Sequence, residues 1–390
     1  MLIKFQIKMN SRKKKIIDIS SIGIADLLSA GIAGIFWFYI ASLLGPENYG
    51  ELTYLLTIAT LASGISLLGS KYTLMVYSAK KIEIQSTLFL LSSGVGFVSS
   101  IIIFFYFMDL GLSLLVLGYI VLTLVTADLL GKKLYKTYSK YVIIQKILMV
   151  ILGIGFYYIM KEPGIILGIS LSYLPLIKEM IHRFKDTKIN FKLLVERKNF
   201  FLNNFALNMT GTLHSSLDKL LIVPLLGFTI LGNYSLGLQF YTIIALVPTL
   251  SLKYLVAQDA TGVPNKKIKK ILVISSIGIA LLSSIVAPVI IGEIFPKFES
   301  AEEIIRIVSF GIIPSTITSA YFFPKFWALE KSKFVLATSI LVVILQIIGI
   351  VILGPIYGAK GIAISFVISL SIGTGFAVIM DKTYNKILKT

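Results

Sequence analysis

Polar side chains follow one face of an otherwise apolar segment between residues 199 and 227. Their three- and four-residue spacing would place them on a single stripe of a helix. The stripe consists of Asn204, Asn208, Thr212, Ser215 and Lys219. Amides and hydroxyls donate and accept hydrogen bonds, as the binding of sugars requires. The alternative is polar packing between helices. Because five aligned residues exceed what packing needs, we predict a cavity wall.

Three ionisable residues also lie inside apolar segments. His214 and Asp218 stand four residues apart on a neighbouring face of the same helix, close enough to form a hydrogen bond. Asp26 lies about 10 Å inside the first apolar segment, where an ionisable group usually faces a bundle interior or a hydrated cavity. We predict that Asp26 faces a cavity, and that it or the His214/Asp218 pair couples transport to an ion gradient. The alternative for each is a structural hydrogen bond.

Lys71 and Lys253 each end an apolar segment. One interpretation is that both ammonium groups reach water at the membrane surface. The other is that they form a symmetric pair of cations at the inner mouth of a cavity. A phosphate-bearing substrate would need such partners, because burying its charge without them is prohibitively costly. Both interpretations stay open at this point.

The sequence gives no support for enzymatic or cofactor chemistry. It has no nucleotide-binding loop, zinc motif or catalytic triad, and its two histidines with no cysteine cannot build a metal site. We therefore expect no cofactor, no metal and no enzyme activity.

The elements that position these residues are apolar helices. Hydrophobic residues make up 56% of the chain and charged residues 14%, against roughly 25% charged in soluble domains. The apolar runs are about 20 residues long, enough to cross a bilayer core of roughly 30 Å as a helix. We predict an all-α membrane protein with twelve transmembrane helices. They run over 19–44, 49–70, 84–107, 110–130, 141–160, 163–181, 199–227, 230–255, 271–295, 301–327, 333–353 and 357–380.

An internal repeat relates two parts of the chain. Shifting residues 40–72 forward by 182 positions places them on 222–254 without a gap. Two glycines and a Lys-Tyr pair coincide, and the same shift pairs Asp26 with Asn208. We predict two six-helix halves, 1–181 and 199–390, joined by a basic connector at 182–198. Such repeats are typical of transporters that open alternately to either side.

The distribution of positive charge predicts the orientation. With the N-terminus inside, most lysines and arginines fall in cytoplasmic connections, as membrane topology requires. We therefore expect a multi-pass protein of the cell membrane with both termini cytoplasmic. The net charge of +18 then reflects topology rather than nucleic-acid binding. The connector 182–198 is either a short helix in contact with membrane lipids or a solvated tether.

Several short segments, in order along the chain, resemble the polysaccharide flippase family of the multidrug/oligosaccharidyl-lipid/polysaccharide exporter superfamily. They are 43–50 (LLGPENYG), 217–222 (LDKLLI), 231–235 (LGNYS), 327–331 (WALEK) and 353–361 (LGPIYGAKG). The resemblance implies two six-helix bundles arranged as a V around a central cavity. It also implies movement of a polyprenyl-linked oligosaccharide from the inner to the outer leaflet. Cationic residues meet the lipid phosphate in that family, and Lys71 and Lys253 are the counterparts here.

We therefore predict a lipid-linked oligosaccharide flippase, with glycan-assembly enzymes as candidate partners. The nearest alternative is a cation-coupled multidrug antiporter of the same superfamily, for which an acidic or aromatic cavity would be expected. An integral glycosyltransferase is less favoured, because no external connection is long enough for a catalytic domain.

Overall fold

The computed structural model describes residues 2–260, 265–329 and 331–387. Side chains are described between residues 23 and 384, except at 247, 250, 253, 254, 257, 258, 260–264 and 330. Throughout these ranges every regular element is helical. The first eight helices are α1 (Leu2–Ser66), α2 (Ser70–Ala79), α3 (Gln85–Phe107), α4 (Leu110–Gly131), α5 (Tyr135–Met160), α6 (Glu162–Leu171), α7 (Leu174–Phe184) and α8 (Phe191–Glu196). The others are α9 (Lys198–Ile244), α10 (Leu246–Ala260), α11 (Lys266–Ile294), α12 (Ala301–Val308), α13 (Ile312–Ile317), α14 (Phe323–Ala328) and α15 (Ser332–Ile387).

Nine helical segments in the described ranges are long and apolar enough to cross a membrane. Three of them, in α1, α9 and α15, are 44, 47 and 53 residues long. At 1.5 Å per residue each is at least about 66 Å long, more than twice the roughly 30 Å of a bilayer core. The predicted all-helical membrane architecture is therefore confirmed. The twelve separate spans stay a prediction.

Each of the three long helices contains a kink at a glycine. Gly45 in α1 has φ 75° and ψ 177°, and Gly227 in α9 has φ 84° and ψ 175°. These are the two glycines that the 182-residue shift pairs, so the repeat carries the same backbone geometry at both positions. Gly358 in α15 has φ 56° and ψ −135°. Positive φ combined with an extended ψ, as at Gly45 and Gly227, is a conformation that essentially only glycine adopts, which explains the residue type at these kinks.

Beyond the first two kinks, the repeated segments pack against each other around a local two-fold axis. A Cβ atom on Gly50 would lie 1.9 Å from the carbonyl oxygen of Phe228. A Cβ on Gly232 would lie 1.8 Å from the carbonyl oxygen of Pro46. The same shift relates Gly50 to Gly232 and Pro46 to Phe228. The contact is therefore reciprocal, and it requires glycine on both sides.

The chain packs as two compact units. Unit 1 comprises residues 1–37 and 55–213, and unit 2 comprises residues 38–54 and 214–390. All three boundaries cut a continuous helix: α1 divides after Trp37 and again after Tyr54, and α9 divides after Leu213. The sequence instead predicts a division at the basic connector 182–198, into halves 1–181 and 199–390. That division stays a prediction.

Within unit 1, the connector is fastened to the start of α3. The Ser86 hydroxyl lies 2.8 Å from the Thr187 hydroxyl. The Thr87 hydroxyl accepts a hydrogen bond of 2.8 Å from the backbone N–H of Asn190. The Asn190 side chain then caps the short helix α8. Residues 186–190 are therefore an ordered strap on unit 1.

Unit 2 has an apolar core where α9, α12 and α15 meet. Its fully buried members include Ile222, Tyr234, Ile304, Ile350 and Ile362. This core holds the second half of α9, which carries several of the predicted site residues.

Candidate functional site

In unit 1, Asp26 lies on α1 and accepts a hydrogen bond of 2.9 Å from the hydroxyl of Tyr138 at the start of α5. The Asp26 side chain is half-buried. Tyr138 was not identified from the sequence. The Tyr138 hydroxyl holds the Asp26 carboxylate in place. That Asp26 also faces a cavity stays a prediction.

The first part of the predicted stripe also belongs to unit 1. Asn204 is buried and donates to the Thr73 hydroxyl of α2 at 3.0 Å. Asn208 donates to the backbone carbonyl of Gly64 in α1 at 3.2 Å. Thr212 packs directly on Gly64, where an added Cβ would lie 2.7 Å from its methyl group. These bonds are polar packing between helices, the alternative that the sequence left open. The cavity-wall role of the three residues stays a prediction.

The second part of the stripe lies in unit 2 and is more exposed. Ser215 is exposed, and the Lys219 ammonium donates to the Ser215 carbonyl at 2.7 Å. The same ammonium lies 3.5 Å from the Asp218 carboxylate. The Lys219 side chain therefore folds back along its own helix, and the Asp218 carboxylate is its counter-ion.

Asp218 is buried in a network that the sequence did not reveal. Its carboxylate accepts from the Tyr234 hydroxyl at 3.0 Å and from its neighbour's backbone amide, that of Lys219, at 2.8 Å. Gln346 of α15 in turn donates to the Tyr234 hydroxyl at 3.2 Å. None of these described hydrogen bonds involves His214. The predicted role of the His214/Asp218 pair in ion coupling stays untested.

The network has no counterpart at the repeated positions of the first half. The 182-residue shift pairs Asp218 with Phe36 and Tyr234 with Leu52. Both of those residues are apolar and buried. A comparison of the two repeats would have drawn attention to Asp218 and Tyr234, because only one copy carries polar residues there.

His214 lies at a cavity of about 170 Å³ within unit 2. The cavity is lined by α9, by the residues around a π-helical turn at Thr318–Phe322, and by α15. Most lining groups are uncharged hydrogen-bonding side chains: His214, Ser315, Thr318, Ser319, Thr338, Ser339 and Thr374. The remaining lining residues are Phe323, Val342, Leu370 and Gly373. Among the described residues, no carboxylate and no ammonium lines this cavity.

The π-helical turn shapes the wall of this cavity. A π-helix shifts the backbone hydrogen-bond pattern and often marks a functional position. The Thr374 hydroxyl lies 3.0 Å from the carbonyl oxygen of Pro314 and 2.8 Å from the Thr318 hydroxyl. The only sequence signal for this region was the pair of prolines, Pro314 and Pro324, on either side of the turn.

Lys71 and Lys253 are the two lysines that the sequence predicts to meet a phosphate. Lys71, in unit 1, is exposed, and its ammonium lies 5.2 Å from the ring centre of Tyr72. The side chain of Lys253 lies outside the described residues. Their predicted role as a symmetric pair is untested.

Unit 1 also contains a charged cluster that sequence reasoning missed. Asp128 is fully buried and accepts from Ser78 at 2.6 Å and from Arg183 at 2.8 Å, and its carboxylate lies 3.1 Å from the Lys132 ammonium. Arg183 also pairs with Glu179 at 2.6 Å. A buried carboxylate needs such partners. The signal was present, since Asp128 falls within the predicted span 110–130.

Asp186 extends this cluster to the connector. Its carboxylate lies 2.7 Å from the Lys132 ammonium and accepts from Gln85 at 3.2 Å. Desolvation alone would raise the pKa of Asp186, but the hydrogen bond and charge of Lys132 outweigh it, so the pKa lies below its ordinary value. The ionised carboxylate therefore helps to hold the strap on unit 1.

No family model and no curated protein matches the sequence. Solved structures do match. The lipid II flippase MurJ, in an inward closed conformation, superposes with a TM-score of 0.68 at 15% identity, covering 93% of this chain and 87% of that one. An inward-facing multidrug resistance MATE transporter gives a TM-score of 0.66 at 12% identity, covering 95% and 99%. A transporter of the MOP superfamily from Pyrococcus furiosus gives 0.61 at 14% identity, covering 96% and 95%.

These likenesses show the fold. The chain is a multi-pass helical membrane protein with the fold of the MurJ and MATE transporters. The identities are too low to carry over any substrate.

Proposed function

We propose that this protein is a flippase that moves a polyprenyl-linked oligosaccharide from the inner to the outer leaflet of the cell membrane. It works by alternating access, without enzyme activity or a cofactor. The proposal includes twelve membrane crossings in two six-helix bundles around a central cavity, with both termini cytoplasmic. Its support is the fold, shared with a lipid II flippase over most of both chains, together with the chemistry of the cavity in unit 2.

The three kinks support the proposal of twelve crossings. Each long helix exceeds twice the thickness of a bilayer core. Gly45 lies in a predicted connection between spans, and Gly227 and Gly358 lie within two residues of one. Counting two crossings for each divided helix gives twelve in place of nine.

The observation that carries the proposal is the lining of the unit 2 cavity. Its polar lining groups are hydroxyls and one imidazole, and no carboxylate lines it in the part of the chain that the structure describes. In an apolar membrane-spanning unit, uncharged hydrogen-bonding groups suit a neutral polar cargo such as a sugar. A binding site for cationic drugs would instead be expected to contain a carboxylate or several aromatic rings. Among the described lining residues, Phe323 is the only ring apart from His214.

A cation-coupled multidrug antiporter is the second candidate. It is favoured by the buried carboxylate of Asp218 in unit 2 and by the likeness to a MATE transporter. Buried carboxylates in membrane spans are typical of ion-coupled transport. Under the flippase proposal, Asp218 or Asp26 provides the coupling to an ion gradient.

Translocation of a fluorescent lipid-linked sugar in proteoliposomes tests the proposal. The label is placed on the sugar and bleached from outside by a membrane-impermeant reductant. We expect the bleached fraction to rise above that of protein-free vesicles. Accumulation of a cationic dye instead, with no movement of the lipid-linked sugar, would favour the antiporter.

The same assay examines the two lysines. We expect the double variant Lys71→Ala/Lys253→Ala to translocate the pyrophosphate-linked sugar at least about tenfold more slowly, since each lost charged hydrogen bond costs about 1.5–3 kcal/mol. Lys80→Ala is the matched control, because Lys80 is exposed at the end of α2, the helix that carries Lys71. Wild-type rates in the double variant would remove both lysines from the mechanism.

A further inference from the structure

Two polar side chains at the unit 2 cavity have no hydrogen-bonding partner in the described part of the chain. They are the imidazole of His214 on α9 and the hydroxyl of Ser319 in the π-helical turn, and both line the cavity. An unsatisfied polar group at membrane depth is costly. Among the other lining hydroxyls, Thr338 and Ser339 donate to carbonyls one turn back at 2.8 and 2.9 Å. Their lone pairs remain available to accept.

The cavity therefore combines two kinds of surface. One part consists of donors and acceptors without net charge, and the other consists of Phe323, Val342 and Leu370. A sugar ring has the same division, with hydroxyls around its edge and C–H groups on its faces. A protein cavity of about 150 Å³ accommodates benzene, a six-membered ring, and this cavity has a similar volume of about 170 Å³. This suits a single sugar ring rather than an oligosaccharide.

From these observations we infer that the unit 2 cavity is a subsite for one neutral hexopyranose ring of the cargo. His214 and Ser319 exchange hydrogen bonds with its hydroxyls, Thr338 and Ser339 accept from it, and Phe323 packs against a face of the ring. The inference rests on the proposed flippase function, and it adds the class of group recognised and the residues that recognise it.

Trp327 offers a direct readout of this subsite. The chain contains two tryptophans, Trp37 and Trp327. The ring centre of Trp327 lies 5.8 Å from that of Phe323, which lines the cavity. In a Trp37→Phe background, all tryptophan emission comes from Trp327. Occupation of the cavity then perturbs that emission.

The experiment titrates the full-length protein in nanodiscs with two probes. One is a polyprenyl pyrophosphate that carries a single N-acetylglucosamine, and the other is the same lipid without the sugar. We expect a saturable change in Trp327 emission with the sugar-bearing probe only. Ser319→Ala and His214→Leu should each weaken its binding by about three- to tenfold, the effect of one lost hydrogen bond. Binding of the sugar-free lipid, measured by competition, should not change.

Two variants control for packing. Ser371→Ala removes an exposed hydroxyl from α15, the helix that also carries Thr338 and Ser339, and it should leave binding unchanged. Thr338→Val preserves the shape of a buried side chain and should weaken binding, whereas Thr338→Ser keeps the hydroxyl and should retain it.

The outcomes separate this inference from the proposed function. Equal binding of both probes, or unchanged binding in Ser319→Ala and His214→Leu, would overturn the subsite, and continued translocation would leave the flippase standing. A sugar-dependent Trp327 response without translocation would support the subsite and overturn the flippase. If the protein showed no sugar-dependent Trp327 response and no translocation, both the subsite and the flippase function would be overturned.

Discussion

The reciprocal glycine contact makes a quantitative prediction about stability. In Gly50→Ala, the new methyl group would meet the Phe228 carbonyl oxygen at 1.9 Å. Ordinary van der Waals contact begins at 3.4 Å, so the two helices would have to separate by about 1.5 Å there. Overpacking of a close contact typically costs 1–3 kcal/mol. Because the obstacle is backbone, which cannot rotate away, we expect a loss of about 3 kcal/mol.

The matched control is Gly94→Ala in α3. No atom lies within 4 Å of the position that its methyl group would take, and alanine is favoured over glycine in a helix by about 1 kcal/mol. We therefore expect Gly94→Ala to be neutral or stabilising. The assay is thermal unfolding of the purified protein in detergent, where Gly50→Ala should lower the Tm by several degrees.

The local symmetry adds a second test. Gly232→Ala meets the Pro46 carbonyl oxygen at 1.8 Å, so it should be destabilising to about the same extent as Gly50→Ala. Both methyl groups push the same two helices apart. The double variant should therefore cost less than the sum of the single variants. If Gly50→Ala unfolded like Gly94→Ala, or if the two losses simply added, the reciprocal contact would be refuted.

Two further predictions concern the charged networks. Tyr234→Phe removes the hydroxyl that donates to Asp218, and leaving a buried carboxylate short of a donor should cost about 1–3 kcal/mol, measured as a lower Tm. Leu52→Met, at the repeated apolar position, should change the Tm little. Acidification should release the connector strap, because the pKa of Asp186 is lowered in the folded protein. The stability that Asp186 provides is therefore present above its unfolded pKa of about 3.8 and is lost as the pH falls through the lower folded value. Hydrogen exchange of residues 185–190 should differ between wild type and Asp186→Asn at pH 7, and this difference should vanish at the acid end. The contribution is at most about 1 kcal/mol, since the Asp186 side chain is 38% exposed and Lys132 is partly screened by water.

The membrane class and the helical architecture could be read from the sequence because they depend on local properties. The length and apolarity of each run decide whether it can cross a bilayer. The repeat also reached the level of backbone geometry, since Gly45 and Gly227 adopt the same kink. Even so, the described residues form nine long apolar segments where twelve spans were predicted, and three of these segments contain a kink that does not end the helix.

The candidate site was less accessible to sequence reasoning. Spacing on a helix placed Asn204 and Lys219 on one stripe, but it could not show that Asn204 bonds to Thr73 of another helix. The network around Asp218 was incomplete for the same reason, because Gln346 donates to Tyr234 from 112 residues further along the chain. The hydroxyls of the unit 2 cavity lie on separate helical segments. Within its own helix, none of them stands in a pattern that would predict a shared cavity.

The sequence by itself determined that this chain folds as apolar helices in a membrane, with glycines where two repeated segments bend and approach. Those properties depend on the hydrophobicity of each side chain and on the backbone conformations open to each residue. Neither depends on which residues lie nearby in the folded protein. Only the tertiary structure decided that α1 and α9 each contribute to both compact units, and that His214 and Ser319 line one cavity. A contact between distant helices depends on how their faces pack, and the periodicity of a single helix carries no record of its partner.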